Sequence, residues 1–206
     1  MKPLMEKDAV VLFQGDSITD AGRNREDGND LGPGYAMIAA ATFLANYPEH
    51  GVKFLNRGIG GDTSKGLLAR WQEDCIDLKP TWVSIMIGIN DTWWAEIDAV
   101  EYETAMRGIL TRSKSELNAN IILIEPFVMP VPEDYSRVRT LLDLKIDVVR
   151  KLAREFKAVL IPMDGIFARA CTHQEPSFWS PDGVHLSPAG NALLAQEWLK
   201  AVKAFT

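Results

Sequence analysis

The sequence is poor in the residues that bind metals or form disulfides. Its 206 residues include only two cysteines and three histidines. Cys75 and Cys171 lie far apart with no motif around them, so we interpret them as two structural thiols. The histidines show no spacing typical of a metal site, and we predict neither a metal nor a cofactor.

Long apolar runs and an excess of positive charge are also missing. Near the N-terminus, the apolar run at residues 9–13 is too short to span a bilayer or to form the core of a signal peptide. We therefore expect a cytoplasmic protein that does not bind membranes. The net charge is -6, whereas nucleic-acid-binding faces are basic, so we predict no nucleic-acid partner.

The chain shows no repeat, low-complexity tract or linker, and 47% of its residues are hydrophobic. We predict one domain over residues 1–206. Short apolar runs alternate with helical periodicity, which indicates a parallel sheet with helices on both faces. The predicted strands are residues 9–13, 52–55, 82–87, 121–124 and 159–161, and the predicted helices are residues 35–46, 64–78, 100–117, 138–156 and 188–205. The irregular stretch 126–137 is either a substrate-binding loop or a surface crossover.

Polar clusters follow several of the predicted strands. The carboxyl ends of parallel strands meet at one edge of a sheet, where ligands bind. Residues 15–17, 56–62 and 88–91 follow the first three strands, and residues 182–185 precede the last helix. We expect these four clusters to converge on one active site.

Ser17 is the candidate nucleophile of that site. A serine hydroxyl reacts only when a base takes its proton. Among the three histidines, His185 is distinguished by Asp182, which precedes it by three residues. This carboxylate can fix the imidazole tautomer and stabilise the imidazolium. A turn serine and a local Asp–His contact form the alternative interpretation.

Acyl transfer also needs hydrogen-bond donors for the oxyanion. The backbone N–H groups of Ser17 and Gly61 and the side-chain amide of Asn90 can supply them. In the alternative interpretation, Asn90 satisfies only the backbone of its own loop.

Together these motifs resemble the GDSL, or SGNH, hydrolases. Four blocks appear in the family's order, namely Gly15-Asp16-Ser17-Ile18-Thr19, Gly60-Gly61-Asp62-Thr63-Ser64, Gly88-Ile89-Asn90-Asp91 and Asp182-Gly183-Val184-His185. The name GDSL gives the one-letter sequence of the first block, and this chain differs from it only in having Ile18 in place of leucine. The resemblance spans nearly the whole chain. It implies a flavodoxin-like, three-layer α/β/α fold with a five-stranded parallel sheet. It also implies a Ser17–His185–Asp182 triad and an oxyanion hole of Ser17, Gly61 and Asn90.

Within this family, residues 69–74 and 82–91 are similar to acetylxylan esterases of the bacterial cytoplasm. The similarity implies a serine esterase for short acyl groups, above all acetyl, with xylo-oligosaccharides or related sugars as substrates. The expected partner is thus a small-molecule ester, and a homo-oligomer is possible. Trp93 and Trp179 lie near the catalytic blocks, so we predict that they stack on a sugar or wall a small acyl pocket, although packing is the alternative. The role of Trp94 is left open.

Three other functions stay open at this point. A thioesterase or lysophospholipase of the same family would need a long apolar groove. A metal-dependent phosphoesterase would use oxygen and nitrogen ligands at the sheet edge. Those ligands would be Asp16, Asp20, Asp62, Asp91 and His185. A non-catalytic carbohydrate-binding protein would have no need of an intact triad.

Overall fold

A five-stranded parallel sheet forms the centre of the computed structural model, which describes residues 2–205. The strands are β1 (Val10–Gly15), β2 (Lys53–Asn56), β3 (Trp82–Met86), β4 (Asn120–Ile124) and β5 (Val159–Ile161). Their order is β2-β1-β3-β4-β5, and every neighbouring pair is parallel. This is the flavodoxin-like order, with its switch point between β1 and β3. The predicted fold class is confirmed.

Ten helices connect and cover the strands within the described chain. They are α1 (Ser17–Asp20), α2 (Tyr35–Asn46), α3 (Ser64–Ala69), α4 (Trp71–Asp74), α5 (Ile89–Trp93), α6 (Ala99–Leu117), α7 (Tyr135–Phe156), α8 (Met163–Ala170), α9 (Pro176–Trp179) and α10 (Pro188–Ala201). Two short 3-10 turns occur at Pro48–His50 and Ile76–Leu78.

The sheet separates two hydrophobic cores. Successive strand side chains point to opposite faces, so Phe13 packs into one core and Leu12 into the other. The Phe13 core lies under α2, α8 and α10, where Trp198 packs against the Phe13 ring at a centroid distance of 5.3 Å. The Leu12 core lies under α3, α4 and α6, and α7 contributes to both cores. Because both faces are covered, the strands carry apolar residues at nearly every position.

Helix boundaries differ from the predicted ones in three places. The predicted continuous helix at 64–78 is wrong, since α3 ends at Ala69 and α4 begins at Trp71. Arg70 lies at the break, and its guanidinium binds the carboxylates of Asp62 and Asp74. Helix α7 begins at Tyr135, inside the segment predicted to be irregular, and α10 ends at Ala201 rather than at 205.

Within residues 2–205, no helix has the length and apolarity needed to cross a bilayer. The single domain, the cytoplasmic location and the possible homo-oligomer stay predictions.

Helix α7 offers a matched test of this packing. Leu142 is fully buried against the core, whereas Leu144, two residues later, is 53% exposed. We expect Leu142→Ala to lower the free energy of unfolding by about 2–5 kcal/mol, because it leaves a cavity. Leu144→Ala should change it by no more than about 0.5 kcal/mol. Urea titrations of both variants check this, and equal effects would contradict the packing of α7.

Candidate active site

Ser17 lies at the carboxyl edge of the sheet, where β1 passes directly into α1. Gly15 makes this turn possible, because a Cβ there would clash with the backbone oxygen of Met86 on β3. Asp16 caps the short helix, since its carboxylate accepts the N–H of Ile18 at 3.0 Å. The turn leaves Ser17 half-buried and facing outward from the edge of the sheet.

His185 and Asp182 reach Ser17 from the loop between α9 and α10. The Oγ of Ser17 lies 2.9 Å from Nε2 of His185, and Nδ1 of His185 lies 2.6 Å from Oδ2 of Asp182. The other carboxylate oxygen of Asp182 accepts the backbone N–H groups of Val184 (2.9 Å) and His185 (2.7 Å). The three residues predicted to form a triad are therefore joined in one chain of hydrogen bonds.

The Asp182 carboxylate is stabilised in its charged form. Partial burial opposes the charge, but the hydrogen bonds from His185 and from the two backbone N–H groups outweigh it. Together they hold the pKa of Asp182 below its ordinary value. The hydroxyl oxygen of buried Ser180 lies 3.2 Å from Oδ1 of Asp182 and 2.8 Å from the carbonyl oxygen of His185. Sequence reasoning missed Ser180, although it lies only two residues before Asp182.

The predicted oxyanion donors come from the turn after β2 and from α5. Gly61 has φ +80°, and apart from its chain neighbours no described residue has a heavy atom within 4 Å of the position that a Cβ would take. A Cβ on the preceding Gly60 would lie 3.9 Å from Cβ of Ser17, so this turn lies against Ser17. The Gly61 N–H is thus on a turn that is open to a reactant.

The Asn90 amide is held from both ends. Its Nδ2 donates one N–H to the carbonyl oxygen of Asp62 at 2.9 Å, and its Oδ1 accepts the indole N–H of Trp94 at 3.2 Å. An asparagine amide has two N–H groups, so a second one is available to a substrate. Trp94 follows Asn90 by four residues, which is one turn of helix, and this spacing was a usable signal in the sequence.

Two clefts meet at Ser17 and His185. One has a volume of about 460 Å³ and is lined by Asn90, Trp93, Trp94, Val131 and Pro132, among others. The second has a volume of about 360 Å³ and is lined by residues that include Pro33, Ile38, Leu186 and Asn191. Val131 and Pro132 lie in the stretch 126–137, which therefore contributes to the wall of the first cleft. The site can hold the two halves of an ester on either side of Ser17.

The whole chain, and not only these motifs, has known relatives. The GDSL-like lipase/acylhydrolase family matches residues 13–193. This chain belongs to that family. The predicted family and the predicted class of enzyme, an ester hydrolase that uses serine, are confirmed.

Similar proteins include two bacterial enzymes. An acetylxylan esterase from Geobacillus stearothermophilus is 37% identical, with 93% of each chain covered. A crystal structure of an acetylxylan esterase from the same organism is 35% identical and has a TM-score of 0.88, covering 96% of this chain and 95% of that one. Thioesterase 1/protease 1/lysophospholipase L1 from Escherichia coli is 27% identical over 84% of this chain and 78% of that protein. An α/β hydrolase from the metagenome of Lake Arreo has a TM-score of 0.91 and 30% identity, with both chains fully covered.

Of the tryptophans predicted to contact substrate in this GDSL-family chain, Trp93 lines the first cleft and Trp179 does not. Trp179 is partly buried, packs edge-on against Phe178 at 5.0 Å, and has an indole N–H without a hydrogen-bond partner among the described residues. Its position supports packing, the alternative interpretation, because α9 directs the ring towards the core. Trp94, which was left open, lies in the cleft and is 61% exposed.

The aspartates of the family blocks hold loops. Asp62 accepts the N–H of Thr63, and Asp91 accepts the N–H and the hydroxyl of buried Ser64. Burial raises the pKa of Asp91, and the hydrogen bonds from Ser64 only partly offset this. Among residues 2–205, no group of three or more His, Cys, Asp or Glu side chains could hold a metal ion. The arrangement gives no support to the phosphoesterase alternative.

Asp16 predicts a pH dependence of stability. Burial raises its pKa from 3.8 to about 7, against a weaker opposing effect of the Ile18 N–H. The folded state therefore retains a proton that the unfolded state loses, so this group makes the protein less stable as pH rises between about 4 and 7. In Asp16→Asn that contribution is absent. We expect the difference in unfolding free energy, wild type minus variant, to fall over this window and then level off. Urea titrations across pH 4.5–8.5 test this, and a constant difference would contradict it.

Proposed function

We propose that this esterase removes short acyl groups, above all acetyl, from sugar hydroxyls, with xylo-oligosaccharides as the natural class. The hydrogen-bonded chain of Ser17, His185 and Asp182, located where two clefts meet, carries the proposal. Ser17 is the nucleophile, His185 the general base, and Asp182 the group that orients the base.

The reaction has two steps in this proposal. Oγ of Ser17 attacks the ester carbonyl carbon while Nε2 of His185 takes the hydroxyl proton. The tetrahedral oxyanion is stabilised by the N–H groups of Ser17 and Gly61 and by the Asn90 amide. Collapse breaks the bond to the sugar oxygen, which leaves as a hydroxyl with the proton from His185. Water, deprotonated by His185, then attacks the acyl carbon, the bond to Oγ of Ser17 breaks as Oγ takes the proton from His185, and the carboxylic acid is released.

The proposed substrate class rests on two observations. The relative that is 37% identical is named an acetylxylan esterase, and similar solved structures of an acetylxylan esterase from the same organism include catalytic mutants in which a serine, an aspartate or a histidine is replaced by alanine. In this chain, the exposed ring of Trp94 beside Asn90 can stack on a sugar face. The E. coli relative supports a thioesterase or lysophospholipase as the second candidate.

Histidine variants test the proposed base. We expect His185→Ala to lower kcat by more than about 10³-fold for nitrophenyl acetate, because Ser17 loses its proton acceptor. His173→Ala is the matched control, since His173 is an exposed histidine outside both clefts. It should keep the wild-type rate. Similar losses in both variants, or turnover preserved in His185→Ala, would disprove the assignment.

Chain-length specificity separates the two candidate functions. In an open apolar groove each added methylene gains about 0.8 kcal/mol, or roughly fourfold in kcat/KM. We expect the reverse here, with acetate preferred to butyrate and octanoate as nitrophenyl esters, and with acetate released from an acetylated xylo-oligosaccharide. A kcat/KM that rises to octanoate, without acetate release from the oligosaccharide, would favour the thioesterase or lysophospholipase.

Trp94 variants test the sugar contact separately from the chemistry. Trp94→Phe keeps a ring but loses the indole N–H that donates to Oδ1 of Asn90. We therefore expect kcat to fall about 2–10-fold with little change in KM. Trp94→Ala should also raise KM for acetylated xylo-oligosaccharide, but not for nitrophenyl acetate. Phe178→Ala removes an exposed ring outside both clefts and serves as control. If KM for the oligosaccharide is unchanged in Trp94→Ala, the ring does not bind sugar.

A further inference from the structure

Two side chains that follow the nucleophile hold the turn at residues 58–61, which carries the Gly61 donor. Oδ2 of Asp20 accepts the backbone N–H of Gly60 at 2.9 Å. The guanidinium of Arg23 donates to the carbonyl oxygen of Gly58 from Nε (3.3 Å) and from Nη2 (3.2 Å). Asp20 and Arg23 are only 5% and 8% exposed. The turn is thus held by buried side chains as well as by its own backbone.

Asp20 belongs to the same helical turn as the nucleophile. Helix α1 runs from Ser17 to Asp20, and its backbone hydrogen bonds include Asp20 N–H to the Asp16 carbonyl oxygen at 2.8 Å. One carboxylate therefore joins the helix that carries Ser17 to the residue directly before Gly61. A shift of either partner would be passed to the other through this direct hydrogen bond.

The burial of Asp20 is unfavourable in itself. Its Oδ1 is buried and has no hydrogen-bond partner among the described residues, with Nε of Arg23 4.0 Å away. A buried carboxylate oxygen without a partner costs free energy, and an apolar side chain of similar size would avoid that cost. The other oxygen, Oδ2, accepts hydrogen bonds from the half-exposed Arg25 guanidinium and from the Gly60 N–H. This arrangement indicates that Asp20 is buried to hold the turn at residues 58–61 and not to fill the core.

We propose that Asp20 is a positioning residue for ester hydrolysis: it fixes Gly60 so that the Gly61 N–H is aimed at the oxyanion, and Arg25 holds the Asp20 carboxylate in place. The inference rests on the proposed function, in which Gly61 is an oxyanion donor. Asp20 touches neither substrate nor the reacting atoms. Its effect should therefore appear in kcat, when charge develops on oxygen, and not in KM.

Paired substitutions test this role. Loss of a whole oxyanion donor costs about 10²–10³-fold in kcat, so a misaligned one should cost less. We expect Asp20→Ala to lower kcat about 10–10²-fold for nitrophenyl acetate with KM within about twofold of wild type. Asp20→Asn should recover most of the loss, because its side-chain oxygen can still accept the Gly60 N–H. Asp27, an exposed residue in the loop after α1 whose carboxylate accepts the Asn29 N–H, is the control, and Asp27→Ala should leave kcat unchanged.

Amide hydrogen exchange gives a readout independent of turnover. In wild type the Gly60 N–H should be protected, and in Asp20→Ala it should exchange faster while amides of β1 and β3 keep their protection. A wild-type kcat in Asp20→Ala, an increase in KM alone, or unchanged Gly60 exchange would overturn the inference. Its failure is distinguishable from that of the proposed function, because full activity in Ser17→Ala would reject the latter whatever Asp20 does.

Discussion

The hydrogen bond between Ser17 and His185 is the contact on which the site depends, and it joins residues 168 positions apart. Nothing local brings them together. Ser17 is placed by the end of β1, and His185 by the loop that enters α10. Helix α10 is in turn seated on the sheet by Trp198, which packs against Phe13 and donates its indole N–H to Ser84 at 3.0 Å. The core under α2 and α10 thus sets the distance between Ser17 and His185, the proposed nucleophile and base.

The carboxylates of the site differ in how deeply they are buried. Asp182 and His185 have side chains more than half exposed, and their geometry is held by a tight turn with three hydrogen bonds to one carboxylate. Asp16 and Asp91 are buried, and burial raises the pKa of both. In the proposed mechanism His185 transfers the proton and Asp182 orients it, and their exposure leaves His185 accessible to a substrate. The buried pair fixes the loops that present Ser17 and Asn90.

Much of the fold and site was predictable because strong local signals agree with the tertiary structure. Strands covered on both faces are mostly apolar, so the five apolar runs of the sequence predicted the five strands to within two residues at each end. The break at Arg70 was not predictable, since the residues that bind its guanidinium are brought together only by folding. Trp179 packs against the core and does not line either cleft, because closeness in sequence does not fix the direction of a side chain. The contact between Trp94 and Asn90 could have been predicted, because the two residues lie one helical turn apart.

In the proposed mechanism, Ser17 carries the acyl group between the two steps of hydrolysis. Acid quenching of the enzyme during turnover of nitrophenyl acetate, followed by peptide mapping by mass spectrometry, locates that acyl group. We expect one acetyl group on the peptide that contains Ser17, and none in Ser17→Ala. If Ser17→Ala still hydrolysed nitrophenyl acetate without a labelled peptide, Ser17 would not carry the acyl group. The same conclusion would follow if another residue carried an acetyl group that turned over at the steady-state rate.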